Sequence, residues 1–354
     1  ASSAQSSYYG NGNNANYNHF ENIDITGGYY GVRFNGASNY SGDKQNTFIN
    51  VNVTKYYYYG FYMDTQEECT IQFCRVDDPQ YDYGYGIYLY YSYGSTADGN
   101  IIQPAYYGIY AYRENYYKST YDSYIHNNMI SNFTRTSYHY GMRLYYSYNV
   151  DVFHNSIWTN PTSSSYAYAA FYAYRSYYCA VKNNMFVNTG NSSAIYVRYC
   201  SFSNNDFDYN DLYTTGGYFA YWEGSNYGNL SSLQNGVSNQ HDNSWSLTPG
   251  FTSMTDLHLG GGGALMFAPN VGIDHDVDNE TRPTTGNVLI GADQPPPMEY
   301  DSISAVMIDT TDVFTGMQKA RIMKAQINVR GALNPLPVGA AYFSTSGTTD
   351  PDDI

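Results

Sequence analysis

Residues Tyr106–Phe133 read YYGIYAYRENYYKSTYDSYIHNNMISNF, and their outline returns before and after them along most of the chain. The outline is a small residue, then apolar, exposed, apolar, a variable loop, and a second strand ending near Asn-Asn. Aligning the small residue puts Gly31, Gly60, Gly86, Gly108, Gly141, Ala170 and Ala194 in one column. Val32, Phe61, Ile87, Ile109, Met142, Phe171 and Ile195 follow at once, and Phe34, Met63, Leu89, Ala111, Leu144, Ala173 and Val197 come two residues later. Between these apolar columns stand Arg33, Tyr62, Tyr88, Tyr110, Arg143, Tyr172 and Tyr196. A period of two marks a strand with one buried face, so this middle column is expected to point to water.

The second strand repeats as IHNNMI (Ile125–Ile130), VFHNSI (Val152–Ile157), VKNNMF (Val181–Phe186) and FSNNDF (Phe202–Phe207). That alignment places Asn128, Asn155, Asn184 and Asn205 in one column. Asn tolerates the left-handed backbone that a sharp turn needs, and stacked Asn side chains can hydrogen-bond to one another.

The small-residue column recurs at spacings of 29, 26, 22, 33, 29 and 24 residues. These units show no helical apolar period and are too short for two packed helices each. Short strands with variable loops suit stacked coils instead. The expected fold is all-β: a right-handed parallel β-helix of seven or eight coils, about 35–40 Å long at ~4.8 Å per coil. Residues 1–235 are read as coils, with Phe20–Gly27 feeding the first clear one and a degraded coil near Gly217–Trp222.

The chain has 354 residues and 42% hydrophobic content, enough for a real core and two domains. Its net charge of -15 argues against a nucleic-acid backbone or an anionic membrane surface as partner. No apolar run is long enough for a membrane span, and the opening ASSAQSS carries no signal-peptide pattern, as expected of a mature product or a fragment. The 46 Tyr against 16 Phe leave two readings open. One is a true aromatic surface for sugars or a neighbouring chain; the other is tyrosine standing where the natural chain has other residues. Cys69, Cys179 and Cys200 are aligned just before the second strand. This makes Cys179 and Cys200 neighbours in successive coils, with an unbonded pair favoured over a disulfide because parallel stacking aims both side chains the same way.

Acidic loops at Asp64, Glu67 and Glu68 and at Asp77 and Asp78 could supply paired carboxylates for hydrolysis or Ca²⁺ ligands, but no neighbouring coil offers a matching partner, which favours a solvated surface. His126 aligns with Phe153 and His154 with Asn127, so the two histidines occupy different columns and are expected at turns or on the surface. Asp274, Asp276 and Asp278 alternate with Glu280 close behind, a donor pattern suited to Ca²⁺. The competing reading pairs Arg282 with one of these carboxylates to pin the end of the solenoid.

Residues 236–293 are read as that end and its cap. The phrases SLTPGF (Ser246–Phe251), DLHL (Asp256–Leu259), DHDVDNETRP (Asp274–Pro283) and LIGAD (Leu289–Asp293) follow in order. This series resembles the C-terminal end of extracellular right-handed β-helix repeat proteins. Thr248 stands where that family usually has an acidic residue, and Asn279 where it has Gly. A Pro-rich linker, 294–297, leads into 298–354, where YDSISAVMI, KARIMKAQINVRG and NPLPVGAAYFSTSG read as three strands. They resemble the opening half of the Ig-like β-sandwich domains that follow β-helices in surface proteins secreted by gliding bacteria through the type IX route. A sandwich needs about seven strands, so a longer natural chain is expected.

The resemblance implies an extracellular, cell-surface protein: the β-helix module of an adhesin or filament, with homo-oligomer or filament neighbours and surface glycans as partners. In that case the tyrosines Tyr62, Tyr88, Tyr110, Tyr172 and Tyr196 are the binding face. The alternatives are a polysaccharide lyase or glycoside hydrolase of β-helix type, and a phage tailspike. No nucleophile elbow, phosphate loop or zinc motif favours any other chemistry.

Overall fold

The computed structural model describes residues 15–36, 42–200, 204–260, 263–307, 323–331 and 339. It forms two compact units, Ala1–Gln294 and Pro295–Ile354. The first is a parallel β-solenoid. One of its sheets stacks Tyr30–Asn35, Tyr59–Asp64, Tyr85–Tyr90, Tyr107–Tyr112, Tyr140–Tyr145, Phe171–Tyr174, Ile195–Arg198 and Ala220–Trp222 in parallel, and Ser225–Tyr227 closes it antiparallel.

The register is the one the apolar period demands. Ile87, Ile109, Met142, Phe171 and Ile195 pair in succession, as do Leu89, Ala111, Leu144, Ala173 and Val197, and all ten side chains are buried in the solenoid interior. The small column is set by the close approach of coils. A Cβ on Gly108 would meet the carbonyl oxygen of Gly141 at 2.4 Å and Cγ2 of Ile130 at 2.3 Å. Ala170 and Ala194 fill the column in later coils. The expected degraded coil is present, because Ala220 and Trp222 pair with Ile195 and Val197.

A second sheet bends around the rest of each coil. Thr47–Thr54 pairs with Thr70–Gln72 along its first half and with Arg75–Asp77 along its second. The bend falls at residues with left-handed backbones: Asn50, Phe73, Gly99, Asn127, His154, Asn183 and Tyr209, all with φ between 50° and 65°. The following residue is the buried ladder. Asn100 Nδ2 donates to Asn128 Oδ1, Asn128 to Asn155, Asn155 to Asn184 and Asn184 to Asn210, each at 2.9 Å. The left-handed turn and the ladder are therefore separate columns, not two duties of one Asn. Asn205 is not in the ladder. Val181 pairs with Phe207, so FDYNDL (Phe207–Leu212) is the true match to VKNNMF, and the FSNNDF alignment is five residues out of step. Asn205 instead accepts from the Cys179 backbone N–H at 2.8 Å.

This shift also separates the cysteines. Cys179 lies opposite Asn205, whereas Cys200 follows Ile195–Arg198 and shares its column with Ser176. All four cysteines are buried and unbonded to one another. Burial pushes the Cys179 and Cys200 thiols up to about 12.

A short helix follows the last coil. Asn229 caps the helix Leu230–Gly236 through a capping box, Leu233 is buried in the core, and Trp245 bridges Asp211. Leu247 N–H still donates to Asp211 Oδ1 at that end, at 2.9 Å, and the segment 246–293 then leaves it. It runs back along the flank: Gly291 N–H donates to the Asn183 carbonyl, Ala292 N–H to Ser156 Oγ, Arg282 to Asn127 Oδ1, and His275 reaches Asp98. Leu257, Val277 and Ala292 pack on Met129, with Ile101 and Trp158 beside them.

In the second unit Glu299–Met307 and Met323–Arg330 form an antiparallel pair, with Ile303 opposite Ile327. Tyr300, Ile303, Val306, Ile327 and Val329 leave much apolar surface exposed, consistent with the start of an Ig-like sandwich. The third expected strand lies outside the described residues apart from Gly339.

Candidate functional site: a tyrosine–arginine face and a flanking latch

The outer side of the first sheet carries three parallel columns. Tyr30, Tyr59, Tyr85, Tyr107 and Tyr140 form one; Arg33, Tyr62, Tyr88, Tyr110, Arg143, Tyr172, Tyr196 and Tyr221 the next; Asp64, Tyr90, Tyr112, Tyr145 and Tyr174 the third. The middle column holds the tyrosines singled out from sequence, and it is not the freely exposed stripe expected of alternation. Tyr62 and Tyr88 are half-buried; Tyr110, Tyr172 and Tyr196 are 8%, 8% and 5% exposed. The cause is the neighbouring rings. Tyr172 and Tyr196 stack at 4.5 Å with planes 4° apart, Tyr196 and Tyr221 at 4.6 Å and 7°, and Tyr145 and Tyr174 at 4.9 Å and 10°. The stacked partners sit in successive coils, so these ring faces point along the solenoid axis.

Arg143 takes a tyrosine's place in the stack. Its guanidinium lies 5.0 Å from the Tyr110 ring centre and 4.7 Å from that of Tyr172, and donates to Tyr107 Oη at 2.7 Å. A fourth column follows at the turn, where Tyr91, Arg113, Tyr146, Arg175 and Tyr199 all hold left-handed backbones with φ between 49° and 58°. That conformation is unusual for such residues. It places tyrosine and arginine alternately. Arg113 lies 5.0 Å from the Tyr91 ring centre and 5.6 Å from that of Tyr146, and Arg175 lies 5.3 Å from Tyr146 and 5.4 Å from Tyr199. Sequence reading missed this column, although its signal, Tyr or Arg two residues after every inner-face Leu, Ala or Val, was present.

The flank behind the bend is a second cluster, tying the return segment to the solenoid. Arg282 is fully buried, and it pairs with carbonyl groups rather than with a carboxylate: Nε donates to the His275 carbonyl, Nη1 to Leu289 and Nη2 to Gly291 and Ala292, at 2.8–3.1 Å. Burial pulls its pKa down to about 10 against the attraction of Asp276, Asp293 and Asp98. His275 Nε2 lies 2.8 Å from Asp98 Oδ2. The Asp98 hydrogen bond raises the His275 pKa to about 9 against its burial, with Asp274 adding to the rise. His154 sits at the turn, one of the two placements expected, but wholly buried under this segment, where burial and then the Arg282 charge hold it neutral. His126, opposite Phe153, is buried as well.

Of the aspartates singled out from sequence, Asp276 and Asp278 converge and Asp274 does not. Asp274 turns away to His275 Nδ1 at 2.8 Å, while Asp276, Asp278 and Asp293 approach one another. Asp276 already accepts the backbone N–H groups of Asp278, Glu280 and Gln294. Asp278 accepts from His258 Nε2 at 3.0 Å, and that hydrogen bond raises the His258 pKa to about 9 against burial, aided by Asp256. One carboxylate oxygen from each of Asp276, Asp278 and Asp293 lies within 4.8 Å of the others, a grouping that could hold a cation, and His258 stands beside it as a counter-charge.

The acidic loops are likewise occupied. Glu67 meets Lys118 at 2.9 Å and Lys44 at 3.5 Å and accepts from Tyr121. Asp77 pairs with Arg75 at 2.8 Å, and Asp78 accepts from Gln80 at 3.0 Å.

A chain whose coils stack in register around one apolar interior, with an Asn ladder at the bend, is a parallel β-solenoid. It belongs to the family described as the right handed beta helix region, which matches residues 7–169 and 60–239 in two overlapping passes. No curated protein and no solved structure matches the chain. Among the described residues no helix is long and apolar enough to cross a membrane.

Proposed function

We propose that this chain is the β-helix scaffold of a secreted cell-surface protein, a structural or adhesive module of a larger adhesin or extracellular filament. The observation that carries the reading is the long outer face of the first sheet, which is filled by stacked tyrosines and arginines. Among the described residues its one carboxylate in the strand columns before the last coil, Asp64, is half-buried and accepts from Thr65. An enzyme of this fold would need acid and base groups aimed at substrate along such a face.

The rival reading, a polysaccharide lyase or glycoside hydrolase, draws on the convergence of Glu67, Lys44, Lys118 and Tyr121 at one turn. There, burial would raise the Glu67 pKa, but the Tyr121 and Lys118 hydrogen bonds outweigh it and hold Glu67 below the usual carboxylate range, the wrong direction for a general acid. Incubation with a panel of acidic and neutral polysaccharides should release neither reducing ends nor unsaturated products; reproducible cleavage would sink the scaffold reading. Surface placement is tested separately by protease shaving of intact producing cells, which should remove the chain.

A further inference from the structure

We propose that the tyrosine–arginine face of the first sheet docks a second copy of this chain, against the aspartate strip Asp122, Asp151, Asp206 and Asp208 on the other sheet. This rests on the scaffold reading and supplies its partner.

Ring orientation argues against the glycan alternative. Sugars stack on ring faces, and here those faces are taken up by neighbouring tyrosines in the coils above and below. Ring edges and guanidinium groups remain on offer, the hydroxyls of Tyr91, Tyr107, Tyr146 and Tyr199 already accepting from Arg113, Arg143, Arg175 and Arg198, and tyrosine with arginine is the composition that protein interfaces favour. The strands span about 35 Å at ~4.8 Å each, and four columns at ~6.7 Å add about 20 Å of width. The product, about 700 Å², is close to the ~800 Å² per partner of a standard protein interface.

Charge selects the partner. Arg33, Arg113, Arg143, Arg175 and Arg198 stand on or beside this face, and none of them forms an ion pair with a carboxylate among the described residues. Glu223, near Arg198, is spent on the backbone N–H groups of Tyr199 and Cys200. The remainder of a chain of net charge -15 supplies the complement. Asp151 and Asp206 share a column through Ala180, Asp122 lies beside Asp151, and Asp208 is two residues beyond Asp206. Among the strip's described partners the one cation is Lys182, which pairs with Asp206, while Asp208 accepts the backbone and side-chain N–H groups of Asn243, both at 2.7 Å. A contact between two different patches of one chain is heterologous, so it repeats into a ring or an open filament.

The test uses the whole chain in sedimentation velocity over a range of concentrations, at low and high salt. The parent should associate with rising concentration, less so at high salt. Arg175→Glu with Arg198→Glu, and separately Asp151→Arg with Asp206→Arg, should each weaken association at least about tenfold, as expected for opposed like charges at an interface. An equimolar mixture of the two double variants should restore it, since each face then meets a strip of opposite charge. Thermal melts matching the parent would establish that both variants are folded. A parent that stays monomeric, or folded variants that do not rescue each other, would overturn the proposal. So would saturable binding of polygalacturonate that is lost in the arginine variant, which would assign the face to an acidic glycan. Failure of the scaffold reading looks different: cleavage of a polysaccharide sinks that reading, whereas a monomeric chain that cleaves nothing leaves it standing.

Discussion

The solenoid is lined by two kinds of ladder that share one geometry and obey different physics. In the Asn ladder, side chains one coil apart exchange amide hydrogen bonds in a dry interior. Asn155 donates to the Ile125 carbonyl and to Asn184, and accepts both the backbone and the side-chain N–H of Asn128. In the tyrosine columns the side chains are just as regularly stacked, but they interact by dispersion and quadrupole contacts at the margin of water. The first ladder demands one residue type, because each amide completes its neighbours. The second tolerates exchange, and Arg143 shows it by filling a tyrosine slot.

The sharpest break of this comparison is Asn155→Ala. It takes the side-chain partner from the Asn128 backbone and side-chain N–H groups and from the Ile125 and Phe153 carbonyls in the interior, which should cost about 3 kcal/mol or more. Urea denaturation of the solenoid should show that loss as a lower midpoint. A loss below about 1 kcal/mol would mean that water replaces the amide and that the interior is not dry.

A smaller effect is expected at the seam that covers the bend beside the Asn ladder. His275 has a folded-state pKa of about 9, above its usual 6.5, so the stability it contributes is fully present below about pH 6.5 and is lost as the pH rises through 9. Burial alone would raise Asp98, but its hydrogen bonds to His275 and Asn127 hold it below 3.8, so its contribution is present above that value and lost as the pH falls through it. The latch therefore works between about pH 4 and 9. Melting temperature should fall from pH 7 to pH 9.5, and Asp98→Asn should lower it at pH 7 while flattening that fall. An unchanged slope in the variant would remove the ion pair as the cause.

How legible these ladders were differs in the same sense. The seven aligned small residues and the apolar columns after them were read in the register the structure adopts, because inward-facing positions repeat a chemical demand at every coil. The ladder was read correctly at Asn128, Asn155 and Asn184 and lost at Asn205. FSNNDF imitates the local spelling, and only strand pairing shows that Asn210 completes the spacing Val181–Asn184–Phe186 repeated as Phe207–Asn210–Leu212. Asn100 was missed because Gly99, not Asn, holds the turn before it. The return of 246–293 along the flank was not legible. It depends on single contacts such as Arg282 to Asn127, 155 residues apart, and a contact made once leaves no period. The tyrosine face was seen as alternation, but alternation cannot tell a ring pointing to water from one packed against its neighbours.

The smallest effects sharpen the comparison from its other side. Tyr172→Phe keeps the ring that stacks on Tyr196 and lies beside Arg143, and removes only the hydroxyl and its hydrogen bond with Arg143 at the margin of water, so stability should fall by about 0.5 kcal/mol. Tyr172→Ala removes the ring and opens the stack, for about 1 kcal/mol or slightly more. Denaturation midpoints for the pair separate two accounts of the face. If Phe stays near the parent and Ala falls further, ring contact holds the columns together. If Phe costs as much as Ala, the phenol hydroxyl is itself a structural group, and the face would resemble the Asn ladder rather than differ from it.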